Sequence, residues 1–354
     1  MPVETRPGDP AMTLTVSVDA DRLSHSRFAV SRLVELTNGL EVLAHPERAP
    51  SAHSWVASTR RTLDRGRAAV VLSLVESATW YVPDFLVPIP ATYEPALEDE
   101  LAAVAVTPPA ELGAQLRLAF RIGRPPETVM ARTRARPGDD PRAPLPPVAG
   151  DLLATEGPGA LVARVAAELR YCWRTALADW WPAVRRTLDE DVRHRATEAS
   201  RAGFAQLLPG LHRGTKWTGQ RVELDLPYDM ALDAAGGLVM SPSIFLPRPA
   251  VWLGRAAEVM IGYPARGRAA LWANPPTPNG EQILLGRTRA RLLADLTTPR
   301  STTELAARHG LSPATVSYHL ARLHRAGLVQ RRQAGHSVLY EHTDRAAEVL
   351  DAFS

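Results

Sequence analysis

The chain has 354 residues, 45% of them hydrophobic and 22% charged, with a formal net charge of +3. That composition belongs to a globular protein long enough for two or three domains and excludes a disordered chain. The single cysteine, Cys172, excludes a disulfide framework and a thiolate metal cluster.

The opening MPVETRPGDPAM has acids and prolines where a secretory signal needs a basic start and an apolar stretch, so a mobile leader and a cytoplasmic location are expected. The longest apolar run, near Ala68–Leu72, is far too short to span a membrane, and no membrane partner is expected. Leu14–Val18 alternates like a strand. Arg27–Leu43 places Phe28, Val30, Leu33, Leu36 and Leu40 at helical spacing, and Ser54–Leu63 is a second amphipathic segment. Prolines punctuate Tyr81–Pro90 and predict an extended stretch. Helices are expected over Ala96–Val104 and Pro109–Ile122, then a loop over Arg134–Gly150, where five prolines cluster.

Two long helices are predicted next, Pro158–Ala178 and Trp181–Leu208. The first should bury Cys172, and Trp173, Trp180 and Trp181 should pack in the core. The charged face of the second carries Asp189, Glu190, Asp191 and His194, which read as a solvated face more readily than as a carboxylate–His site. From Trp217 to Trp272 short alternating runs broken by turns predict a β-meander. The expected organisation is α+β: a mixed helical and meander domain over 1–273, a linker over 274–282 (opening with NPPTPNG), and a C-terminal domain over 283–354.

No nucleophile elbow, P-loop, dinucleotide fingerprint or His-Glu-x-x-His stretch occurs. No catalytic residue, metal or cofactor is therefore assigned, and the chain is not expected to be an enzyme.

The C-terminal stretch is more informative. After a supporting helix at Leu285–Leu296, Ser301 and Glu304 fit a capping box for a helix over Thr302–His309. Gly310 supplies a tight turn, and Ser312 caps a further helix with Pro313 at its first position. Val316, Leu320 and Leu323 share the face expected to pack on Leu305 and Ala306. The opposite face offers Ala314, Ser317, Tyr318, Ala321, Arg322 and Arg325, with no acid among them. A two-stranded hairpin is predicted from Leu328–Gln333 and Ser337–Glu341, with Arg331, Arg332 and His336 at or near its tip. From Arg287 onward ten arginines face six acids, whereas the preceding residues hold 31 basic and 32 acidic groups. The positive excess therefore sits where a helix-turn-helix would meet phosphate.

The residues ELAARHGLSPATVSYHLARLHRAGLV followed by RRQAGHSVLYE resemble the ArsR-type winged-helix family of bacterial transcription regulators. The resemblance covers roughly Leu284–Asp344. It implies double-stranded DNA as partner, a homodimer on a two-fold-related operator, and repression as the usual mode. It also implies DNA contacts from Ser312, Ala314, Thr315, Ser317, Tyr318, Arg322 and Arg325, flanked by Arg331, Arg332 and His336. The metal-sensing sites of that family are incomplete here; His342, Asp344, Glu348 and Asp351 read as the start of a solvated helix. The upstream region resembles an uncharacterised domain found ahead of such winged helices in high-GC bacteria. A non-metal small-molecule effector or a partner is the expected input to it. An enzyme tethered to a winged helix and a ligand-free dimerisation scaffold are the alternatives.

Overall fold

The computed structural model describes residues 13–133, 140–226, 229–273, 285–309, 311–334 and 337–351. The expected leader, the linker at 274–282, Gly310 and His336 lie outside them. The chain divides into two compact units, 1–275 and 276–354. The class is α+β, and the C-terminal unit is built around a pair of short helices.

The large unit opens with β1 (Thr13–Ser17), α1 (Ala20–Ser24) and β2 (Arg27–Phe28). The helix expected from Arg27 starts only at α2 (Arg32–Ala44), because the Ser31 side chain caps it by accepting from the Val34 N–H at 3.0 Å. Arg27 and Phe28 pair instead with a distant strand. Helices α3 (His53–Thr62), α4 (Ala69–Ser77), α5 (Leu97–Ala105), α6 (Pro109–Ala119) and α7 (Glu127–Thr133) follow, with a single 3-10 turn, Asp84–Leu86, inside the stretch expected to be extended. The loop expected over Arg134–Gly150 ends early. Pro147, at the first position of a helix where a missing N–H costs nothing, starts α8 (Pro147–Glu156).

The next helix, α9 (Pro158–Cys172), runs on as one π-helical stretch, Trp173–Leu177, in which the Ala178 N–H reaches back five residues to the Trp173 carbonyl. The Ala176 carbonyl there accepts from the Trp55 indole N–H at 2.9 Å. Helix α10 (Trp181–Ala202) stops at Gly203, whose φ of 88° only glycine adopts freely, and α11 (Phe204–Leu207) is a separate turn. Cys172, Trp173 and Trp181 are buried in the helical core and Trp180 is packed against it.

The strands do not form a meander. They are β3 (Thr215–Trp217), β4 (Arg221–Asp225), β5 (Met230–Asp233), β6 (Leu238–Ser243), β7 (Ala250–Leu253) and β8 (Val259–Pro264), followed by α12 (Arg268–Ala273). They divide into two four-stranded sheets ordered β3-β4-β1-β5 and β2-β6-β8-β7. The N-terminal strand β1 inserts between β4 and β5, antiparallel to one and parallel to the other. Likewise β6 runs parallel to both β2 and β8. A meander would leave the apolar alternation of β1 unburied; the insertion seats Leu14 and Val16 against Val222 and Leu224.

Leu238, Met240, Val259 and Ile261 from the second sheet join that cluster, so the sheets pack face to face. The other face of β6 and β8, with Val239 and Met260, belongs to the helical core. All six residues of β6 and of β8 are buried, as required of strands covered on both faces.

Candidate nucleic-acid interface

The C-terminal unit contains α13 (Arg287–Ala294), β9 (Arg300–Ser301), α14 (Thr302–His309), α15 (Pro313–Arg325), β10 (Val329–Ala334), β11 (Ser337–His342) and α16 (Asp344–Asp351). Leu292, Leu293 and Leu296 from the supporting segment, Leu305 and Ala306 from α14, and Val316, Leu320 and Leu323 from α15 form one apolar cluster. Leu328, Val329 and Ala346 complete it. Burying these positions at helical spacing fixes the rotation of α15, so its other face is turned to solvent.

Both helix starts are capped. The Glu304 N–H donates to the Ser301 hydroxyl at 3.1 Å, while the Glu304 carboxylate turns to Arg300 and not to the Ser301 backbone. The Ser312 hydroxyl accepts from the Thr315 N–H at 3.1 Å, and Pro313 occupies the first helical position. Asp295 ties the supporting segment to α14. Its carboxylate takes two hydrogen bonds from Arg308, at 2.7 and 3.0 Å, and contacts His309 at 3.0 Å. Burial pushes this carboxyl up, but the bonds from His309 and Arg308 outweigh it and hold the pKa at about 2.

Of the residues expected to meet DNA, Ser312, Ala314, Ser317, Tyr318, Arg322 and Arg325 are all exposed along α15. Tyr318 is 53% exposed, unusual for a large aromatic. Thr315 is half-buried, and its hydroxyl lies 2.8 Å from that of Ser312, so its first role is in the cap. The structure brings Tyr318 and Arg322 together, with the guanidinium 4.8 Å from the ring centre, and leads the Arg325 Nε to the Ala321 carbonyl at 3.3 Å. His319, half-buried beside them, has its pKa lowered by burial and by Arg289 and Arg322, and its Nδ1 has no partner among the described residues.

The hairpin pairs β10 with β11 from Val329–His342 to Ala334–Ser337. Arg331 and Arg332 are exposed on consecutive positions of β10, so they leave opposite faces of the hairpin. The sequence reading missed β9, whose Ser301 and Arg300 pair with Leu339 and Tyr340 to make the sheet three-stranded. Two residues leave no periodicity to detect. It also missed Asp295, whose partners lie up to 14 positions away.

The acid-rich stretch of the large unit differs from its expectation. Asp191 is buried, not solvated: it pairs with Arg195 at 2.9 Å and accepts from the Arg266 N–H at 3.0 Å. Arg195 also covers the Tyr263 ring at 4.5 Å. His194 pairs with Glu198 at 3.3 Å, and Asp189 accepts from the Tyr93 hydroxyl at 2.8 Å. Among the described residues no three His, Cys, Asp or Glu side chains converge on a metal-sized site. No helix among them is long and apolar enough to cross a membrane.

Residues 284–332 match a helix-turn-helix domain, the stretch that holds α13, α14, α15 and most of β10. No curated protein and no solved structure matches the chain. The domain match and the exposed face of α15 give the C-terminal unit a DNA-binding function in transcription regulation. Residues 12–269 match a family of unknown function, DUF5937, and cover nearly the whole large unit; the chain belongs to that family.

Proposed function

We propose that the protein is a sequence-specific transcription repressor of the ArsR type, acting as a homodimer through two winged helices. The observation that carries this reading is the exposed face of α15, where serines and Tyr318 precede two arginines and no acid occurs in the helix. Short polar groups near the N-terminal end suit base edges in the major groove, and arginines further along suit phosphates or bases. The hairpin would act as the wing, with Arg331 or Arg332 reaching the flanking backbone. In a dimer the two recognition helices would sit about 34 Å apart, one turn of duplex.

The large unit is proposed as the receiver of a non-metal effector rather than as an enzyme. Its support is an open groove of about 610 Å³ lined by Tyr81, Gln115, Leu118 and Leu253, in the size range of small-molecule sites. An effector acts only by binding one arrangement of the dimer better than another. The test is a gel shift of the full chain on DNA upstream of its own gene, with scrambled duplex as competitor. Retardation that survives the scrambled competitor and weakens steeply with salt is expected. Equal competition by both duplexes would refute sequence-specific regulation, and a monomer by light scattering with DNA present would refute the dimer.

A further inference from the structure

Tyr318 and Arg322 stand one turn apart on α15, both exposed, with the guanidinium stacked over the phenol ring at 4.8 Å. The same ring meets the His319 ring nearly edge-on, with centroids 5.4 Å apart and planes at 71°. Tyr318 is therefore itself held while it holds Arg322. Arg322 has no carboxylate partner among the described residues, and its guanidinium fork is exposed.

The direction of the stack decides what the fork can reach. Helical side chains lean toward the N-terminus, and stacking on the residue four positions earlier draws the guanidinium further that way. In a helix-turn-helix the N-terminal part of the recognition helix meets the base edges. An unstacked arginine at this position would extend past the helix toward the phosphate row. Stacked, it keeps a rigid planar edge of N–H donors with fewer rotamers left to lose. Two parallel donors at that spacing match the O6 and N7 acceptors of guanine in the major groove. Arg325, bonded to the Ala321 carbonyl near the helix end, is the better phosphate contact.

We propose that Arg322, oriented by stacking on Tyr318, reads one guanine in each half of the operator. Arg322 is then a specificity-determining residue and Tyr318 its positioning residue. The proposal rests on the DNA-binding reading and sharpens it from duplex DNA to a particular base.

The experiment selects duplexes from a randomised pool with four forms of the full chain: wild type, Arg322→Gln, Tyr318→Phe and Tyr318→Ala. The selected duplex is then rebound with 7-deazaguanine, which lacks the N7 acceptor, at the conserved position. Wild type and Tyr318→Phe should select the guanine, Tyr318→Ala should select it more weakly, and Arg322→Gln should lose the preference for guanine there. The 7-deaza duplex should bind wild type about tenfold more weakly or worse and leave Arg322→Gln unaffected. Both side chains are exposed, so unchanged thermal midpoints will show that the variants fold. If Arg322→Gln instead selects the same consensus, weakens every sequence alike and flattens the salt dependence, Arg322 is a phosphate contact and the proposal is overturned. A consensus with no Arg322-dependent guanine overturns it too, while leaving DNA binding intact. Recovery of no consensus and no bound duplex by wild type would overturn both readings.

Discussion

In the large unit Glu35, Glu100, Glu168, Asp191, Arg142 and Arg195 are all buried, whereas in the C-terminal unit the buried side chains among the described residues are apolar. Each buried polar group needs partners: some are local, as in the Asp191–Arg195 pair one turn apart, and others come from afar. Arg142 donates to the carbonyls of Arg117, Phe120 and Gly123, and Glu168 accepts from the Val71 N–H across 97 positions. The small unit needs only apolar residues at helical spacing and two capping serines. One unit thus adds distant polar contacts to its apolar core, whereas the other relies on local pattern and keeps Arg322, Arg331 and Arg332 exposed.

The comparison breaks most visibly at Asp191. Replacing it with alanine leaves Arg195 buried without its carboxylate, and removing one partner of such a pair costs about 3–5 kcal/mol. Calorimetry should show the large unit melting well below its wild-type midpoint, with the small unit unmoved; a loss under about 1 kcal/mol would mean the pair is wetter than its burial indicates. In the small unit Leu320→Ala, at the centre of an all-apolar cluster, should cost about 2–5 kcal/mol and abolish DNA retardation. Retained retardation at wild-type affinity would show that α15 does not need this packing to present its face.

The two units should also respond to pH in opposite directions. Burial raises the Glu35 pKa from 4.5 to about 8 and that of Glu100 to about 7, so the folded large unit holds both carboxyls protonated only below about pH 7. Their contribution is complete below about 4.5 and is lost as pH rises through 7 to 8. Asp295 has the opposite sign: its stabilisation is complete above 3.8 and is lost as pH falls through about 2. Denaturant titrations across pH should find the large unit weakening from pH 5 to 8, about the window of these shifts, with a shallower slope in Glu35→Gln. Identical slopes in the two proteins would remove Glu35 from the explanation. The smallest expected effect is at the cap, where Ser312→Ala should cost about 1 kcal/mol and lower DNA affinity modestly through fraying of the helix start.

This contrast also governs what the sequence makes legible. The helix pair of the small unit, its caps and its hairpin can be read because Leu305, Val316, Leu320 and Leu323 repeat at helical spacing beside Ser312 and Pro313. In the large unit the helices α3, α5, α6, α9 and α10 carry a visible stripe, but α4 does not. Its AVVLSLV run is apolar on every side, so periodicity cannot distinguish helix from strand there. The pairing of β1 with β4 and β5 spans more than 200 positions and leaves no local trace. The solvated-face reading of Asp191 fails for the same reason, since its second partner is a backbone N–H 75 positions away. At the candidate interface, exposure follows from the pattern, whereas the Tyr318–Arg322 stack is a choice of rotamers that spacing permits without dictating.

The central claim is that the acid-free face of α15 is where the protein meets DNA. Fluorescence anisotropy of the full chain on a labelled duplex from upstream of its own gene tests it most directly, with Arg322→Glu/Arg325→Glu as the comparison. The wild type should bind with an affinity that falls linearly on a log–log plot against salt, and the double charge reversal should weaken binding by about 100-fold or more at unchanged thermal midpoint. A correctly folded double variant that binds the duplex as tightly as wild type would contradict the account.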